Sequence, residues 1–138
     1  MDEGDIVSNL RHDRVMIGSD GIPDLTGRPH PRLFGTFPRV LGRYVREQGV
    51  LGLESAVRRM TSLSCDVHGL HDRGRIAEGN WADLVLFDPN LVADIATYED
   101  PKRESAGIRN VWVNGQLAFQ ESLHTQIGAG KVLSYRKH

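Results

Sequence analysis

The stretch IRNVWVNGQLAF, residues 108–119, constrains this chain more than any other, because Asn114 and Gly115 stand as a pair between two apolar runs. A tight two-residue hairpin turn needs positive φ at both central residues, and asparagine followed by glycine meets that need with least strain. The pair predicts two antiparallel strands. DLVLFDP, residues 83–89, adds an apolar run of four that Asp88 and Pro89 stop, and residues 131–135 supply a candidate edge strand. Beyond residue 73 the signals are those of β structure.

The first half has a different rhythm. Residues 3–12 place Ile6 and Leu10 at helical spacing, and RVMIG, residues 14–18, is a compact apolar run that reads as a buried strand. Ser19 to Gly35 then forms a long irregular segment, with Pro23, Pro29 and Pro31 among its residues. Loops of that length are commonly functional or anchored. Thr36 is a candidate N-cap for the next helix, with Pro38 in its first turn. That helix puts Val40, Leu41, Tyr44 and Val45 on one face and Arg39, Arg43 and Arg46 on the other, which predicts a buried stripe opposite a solvated one. A second helix from Leu53 buries Ala56, Val57, Met60, Leu63 and Val67, and Gly69 closes it.

Composition narrows the function classes. The chain has 138 residues, 39% apolar and 25% charged, with a net charge of −1. This is the profile of a globular domain without the basic face that nucleic acid or an anionic membrane favours. The N-terminal MDEGD is acidic where a secretory leader is basic, and the single cysteine, Cys65, leaves no intrachain disulfide to form. A cytoplasmic location is the expectation.

Several motifs invite chemistry. GAGK, residues 128–131, fails as a phosphate loop, since Thr125 and Val132 occupy positions that need Gly and Ser or Thr. His68 and His71 are three residues apart, yet Gly69 breaks the helix that would align them on a metal. Five arginines lie between Arg28 and Arg46 with no acid from residue 25 to 46. Arg28 and Arg32, in the loop with His30, are the candidates to hold a carboxylate through bidentate contacts, the alternative being solvated loop charges. Asp20, in IGSDGIP, is either a turn residue before glycine or a carboxylate held for catalysis. Its place after an apolar strand favours the second, because chemistry in parallel α/β architectures collects at strand C-termini.

VMIGSDGIP, RPHPRLFGTFPRVLGRYVRE, GLHDRGRIAEGNWADLVLFDP, GIRNVWVNGQLAF and GAGKVL together resemble the C-terminal part of the N-acyl-D-amino-acid deacylases, the D-aminoacylase group of the amidohydrolase superfamily. The resemblance implies an α/β fold: the last strand and helices of a TIM-like (β/α) barrel in residues 1–72, and strands of a small β-sandwich in residues 73–138. It implies a zinc-dependent hydrolysis of N-acyl-D-amino acids to a carboxylate and a D-amino acid. Asp20 matches the proton-shuttling acid, at most a weak or second-metal ligand, and Arg28, His30 and Arg32 match the neighbourhood of the substrate carboxylate. The family's H-x-H and later metal ligands have no counterpart in this sequence. No stoichiometric zinc is therefore expected in this chain alone. Its exposed strand edge predicts association with the rest of a barrel or with itself. Two other readings stay open: opening of cyclic amides or imides, and a non-catalytic β-rich interaction module.

Overall fold

The structure, a computed structural model, describes residues 2–22 and 26–133. Helix α1 spans Glu3–Arg11, and its start is a reciprocal cap in which Asp2 accepts from the Asp5 amide at 2.9 Å and Asp5 accepts from the Asp2 amide at 3.1 Å. Two amide donors of the first turn, which have no partner inside the helix, are thereby satisfied. The helix expected over residues 3–12 is present, with Leu10 facing the core.

The strand expected at residues 14–18 is not formed. Among the described residues that segment belongs to no ladder, and one long-range backbone bond reaches it, from the Ile17 amide to the Arg59 carbonyl at 3.2 Å. An interior parallel strand needs neighbours on both sides. The one sheet among the described residues lies elsewhere.

Helix α2 spans Arg32–Arg39 with its N-cap at Pro31, five residues ahead of the Thr36 cap expected from sequence. Pro31 at the N-cap has φ −52°, already helical, and the first turn closes on the His30 and Pro31 carbonyls. Thr36 thus sits inside the helix, its hydroxyl donating to the Arg32 carbonyl at 2.9 Å. Pro38 lies inside as well and cannot donate to the carbonyl of Phe34. Ser105 replaces that donor, its hydroxyl bonding the Phe34 carbonyl at 2.9 Å. The helix then continues with the wider π geometry from Val40 to Glu47.

This π segment carries the core. Val40, Leu41 and Tyr44 are buried against Leu10, Leu51, Ala56 and Val92, as the apolar stripe predicts. The arginine face, expected to be solvated, is paired instead. Arg39 meets Asp94 at 2.8 Å, Arg43 meets Glu3 at 2.9 Å, and Arg46 donates to the Val92 carbonyl at 2.6 Å. Burial opposes the Arg39 charge, but its hydrogen bonds to Asp94 and Tyr44 outweigh that and raise its pKa. Helical spacing locates these arginines on one face; only the fold brings them partners.

The helix expected from Leu53 to Gly69 is two helices, α3 (Leu53–Met60) and α4 (Ser62–Val67), broken at Thr61. The Thr61 hydroxyl bonds the Val57 carbonyl and the Ser64 hydroxyl bonds the Arg59 carbonyl, side-chain bonds that compete with the helical ladder. Ala56 is fully buried, whereas Val57 and Val67, expected in the core, are exposed. Arg59 takes the buried place on α3 and donates to the Leu10 carbonyl at 2.6 Å.

Four antiparallel strands follow in the order β1 (Leu84–Phe87), β2 (Ile108–Val113), β3 (Gln116–Gln120) and β4 (Leu123–His124). The hairpin between β2 and β3 turns on Asn114 and Gly115 at φ +50° and +79°, as the pair predicts. The edge strand is β4, not residues 131–135: residues 131–133 form no strand, and residues 134–135 lie outside the described residues. Arg73, held by Asp83 and Asn114, fixes the turn end of this sheet.

Two carboxylates tie the segments together and predict a pH dependence. Asp88 is held below the usual carboxylate range by the Asn90 amide and then by Arg109. Asp66 is held low by the guanidinium of Arg75, a two-pronged contact at 2.7 and 2.8 Å. A depressed folded-state pKa gives stability that is present above about pH 4 and lost as pH falls through the folded value. Urea midpoints should drop on acidification, and Asp88→Asn with Asp66→Asn should flatten that drop. An unchanged slope in the double variant would show that other groups govern acid unfolding.

Candidate active site

Asp20 lies two residues past the segment 14–18, with φ +47°. Few side chains tolerate that left-handed backbone, and aspartate is one of them. The turn is built locally, since Ser19 Oγ accepts from the Gly21 amide at 3.2 Å. Gly21 lets it press onto α2, because a Cβ there would stand 2.9 Å from Leu33 Cδ1. That approach brings Asp20 to the first residue of α2, and a guanidinium nitrogen of Arg32 lies 3.0 Å from Asp20 Oδ2. The Asp20 side chain is 80% exposed, so the pair adds little stability and the acid stays accessible to a reactant.

Beside the pair is a hollow of about 250 Å³ lined by Gly21, Ile22, Pro29, His30, Arg32 and Leu33. Of the four residues expected from sequence, His30 and Arg32 line it, and Asp20 adjoins it through its pair with Arg32. Arg28 is placed differently, donating to the Tyr98 and Glu99 carbonyls, each at 3.0 Å. Tyr98 was not flagged by any spacing or motif, because its contacts with Arg28 and His30 cross about seventy residues of chain.

A larger cleft of about 350 Å³ lies between α2 and the sheet, walled by Phe34, Pro38, Ile108, Val111 and Phe119. Its polar rim is His124 against Glu104 at 2.5 Å, and neither Asp20 nor Arg32 lines it. Cys65 is no better a nucleophile. Burial, then Asp66, pushes its thiol up, and Gly74 packs so close that a Cβ would sit 2.7 Å from its sulfur.

Among the described residues no group of three or more His, Cys, Asp or Glu side chains stands together as a metal site. Asp20 has a guanidinium beside it, and His68 and His71 flank the break at Gly69. A catalytic zinc takes about three protein ligands. These residues do not make up such a set.

Residues 10–119 match the amidohydrolase family, and the chain belongs to it. It is 52% identical over 134 residues to a D-aminoacylase of Alcaligenes xylosoxydans xylosoxydans, covering 97% of this chain and 28% of that protein. The crystal structure of a D-aminoacylase superimposes with a TM-score of 0.90 at 50% identity, over 96% of this chain and 28% of that one. An N-acyl-D-glutamate deacylase from Bordetella bronchiseptica, solved with zinc and a phosphonate mimic of the tetrahedral intermediate, gives a TM-score of 0.83 at 50% identity. It covers 89% of this chain and 26% of that one. The chain therefore spans about a quarter of the length of these relatives. Among the described residues no helix is long and apolar enough to cross a membrane.

Proposed function

We propose that this chain carries the proton-handling carboxylate and the substrate-carboxylate arginine of an enzyme that hydrolyses N-acyl-D-amino acids. The observation that carries the reading is the Asp20–Arg32 pair at 3.0 Å beside an open hollow. Similarity to D-aminoacylase over 97% of the chain supports it.

Asp20 accepts a proton from the attacking water as its oxygen adds to the amide carbonyl carbon. It then returns that proton to the nitrogen as the C–N bond breaks, leaving a free amine and a carboxylic acid, which loses its remaining proton to become the carboxylate product. Arg32 has a planar fork of five N–H donors, so it can hold the substrate's carboxylate while one donor stays on Asp20. His30 lines the hollow beside it. Arg28, engaged with carbonyls of a neighbouring loop, acts in this reading by holding the 26–32 segment in place. The zinc that the relatives' chemistry implies would be held mainly by residues of the rest of a barrel, which would also offer residues 14–18 the strand neighbours they lack.

The test is a substrate comparison in the complete enzyme that carries this chain. N-acetyl-D-amino acids should be hydrolysed with kcat/KM at least about 100-fold above cyclic imides, a difference of about 2.7 kcal/mol in transition-state stabilisation. Preferred opening of the imides would replace this reading with the cyclic-amide one. No hydrolysis of either would favour an interaction module.

A further inference from the structure

The segment 26–32 leans on a second loop, residues 94–105, whose form is set by its own bonds. Its base is closed by the paired Ala93–Ala106 bridge, at 3.0 and 3.3 Å, and Asp94 anchors it to Arg39. Its tip is a turn in which the Thr97 amide donates to the Asp100 carbonyl and the Asp100 amide to the Thr97 hydroxyl. Tyr98 stands in that turn. Its carbonyl accepts from Arg28, its hydroxyl lies 3.0 Å from His30 Nε2, and its ring meets the His30 ring edge-on at 5.1 Å.

The two nitrogens of His30 have different work. Nδ1 accepts the Arg32 amide at 3.0 Å. That amide opens α2, where backbone donors lack helical partners, and Pro31 at the N-cap has no side-chain acceptor to offer. His30 supplies one from the residue before. A neutral imidazole that accepts at Nδ1 carries its proton on Nε2, so Nε2–H donates to the Tyr98 oxygen. The Arg32 amide, which can only donate, sets this tautomer, and the Tyr98 hydroxyl supports it by accepting the Nε2–H that would otherwise lack a protein partner.

We propose that Tyr98 is a positioning residue, acting through His30 to fix the backbone at Arg32 and so the aim of its guanidinium at the substrate carboxylate. The inference rests on the function proposed above. An unbroken series of contacts carries it: Tyr98 Oη to His30 Nε2, His30 Nδ1 to the Arg32 amide, and the Arg32 guanidinium to Asp20, each at 3.0 Å.

Tyr98→Phe removes the acceptor and keeps the ring. In the complete enzyme KM for an N-acyl-D-amino acid should rise about five-fold with kcat nearly unchanged, the size of one neutral hydrogen bond's net contribution. For the same substrate with its carboxylate converted to a primary amide, the variant and the wild type should have equal KM. An equal rise on both substrates would mean a general structural role, and no rise on either would mean no role; both overturn the proposal. Nitrogen-15 spectra of the histidine-labelled enzyme give a readout independent of turnover. The His30 ring should be the Nε2–H tautomer in the wild type and show a larger Nδ1–H share in Tyr98→Phe, and identical tautomer populations would overturn it. If the wild type hydrolyses no N-acyl-D-amino acid, the functional reading fails separately, and the spectra alone decide whether Tyr98 supports the His30 tautomer.

Discussion

Asp20→Asn should lower kcat of the complete enzyme by about 100- to 10,000-fold, the range that a positioned general acid–base group supplies. The substitution is chosen for what it preserves. Asparagine tolerates the φ of +47° that residue 20 adopts, and its amide oxygen can still accept from Arg32. At a side chain 80% exposed, stability should change by less than about 0.5 kcal/mol. The one property lost is the capacity to take and return a proton. Metal content, measured alongside turnover, separates two roles: intact metal with lost activity marks the proton-handling acid, whereas metal lost with activity marks a ligand. Retained activity would remove Asp20 from the mechanism and with it the central assignment.

What the sequence revealed of this fold divides by the range of the interactions involved. The β2–β3 hairpin was legible because its determinants, Asn114 and Gly115, act on their own backbone. The apolar stripe Val40, Leu41 and Tyr44 was legible for a similar reason, being a periodicity along one helix. The arginines opposite that stripe were misread as solvated, since Asp94, Glu3 and the Val92 carbonyl reach them from distant segments. The start of α2 was misplaced at Thr36 because the closing carbonyls come from His30 and Pro31, and the cap comes from a histidine ring that no capping preference suggests. Residues 14–18 have the apolar content of a strand, but a strand is a relation to neighbours as well as a composition. Asp20 is a candidate from its local motif alone, whereas its proximity to Arg32 depends on the packing of Gly21 on Leu33. Tyr98 was invisible for lack of any local pattern.

The largest stability effect should come from Gly107→Ala. Gly107 has φ +75°, and a Cβ there would stand 2.4 Å from the Val92 amide nitrogen and 2.6 Å from Val92 Cα and the Leu91 carbonyl carbon. These are backbone atoms, which cannot rotate aside. Val92 is also held from the other side: its carbonyl accepts from Arg46 at 2.6 Å and lies against Gly42, where a Cβ would be 2.6 Å away. Left-handed strain on alanine costs about 1–2 kcal/mol, and overpacking a tight contact adds about 1–3 kcal/mol. Their sum is a large share of the about 5–15 kcal/mol that a domain has in total. Gly115→Ala isolates the first effect, because φ there is +79° with nothing within 4 Å of the added carbon. Urea midpoints should therefore fall modestly in Gly115→Ala and by at least twice as much in Gly107→Ala; equal losses would show that the close approach to Val92 carries no energy. The 94–105 loop hangs from this same backbone through the Ala93–Ala106 bridge. Hydrogen exchange at the Ala93 and Ala106 amides should accordingly speed up in Gly107→Ala more than in Gly115→Ala, linking the packing at Val92 to the loop that presents Tyr98.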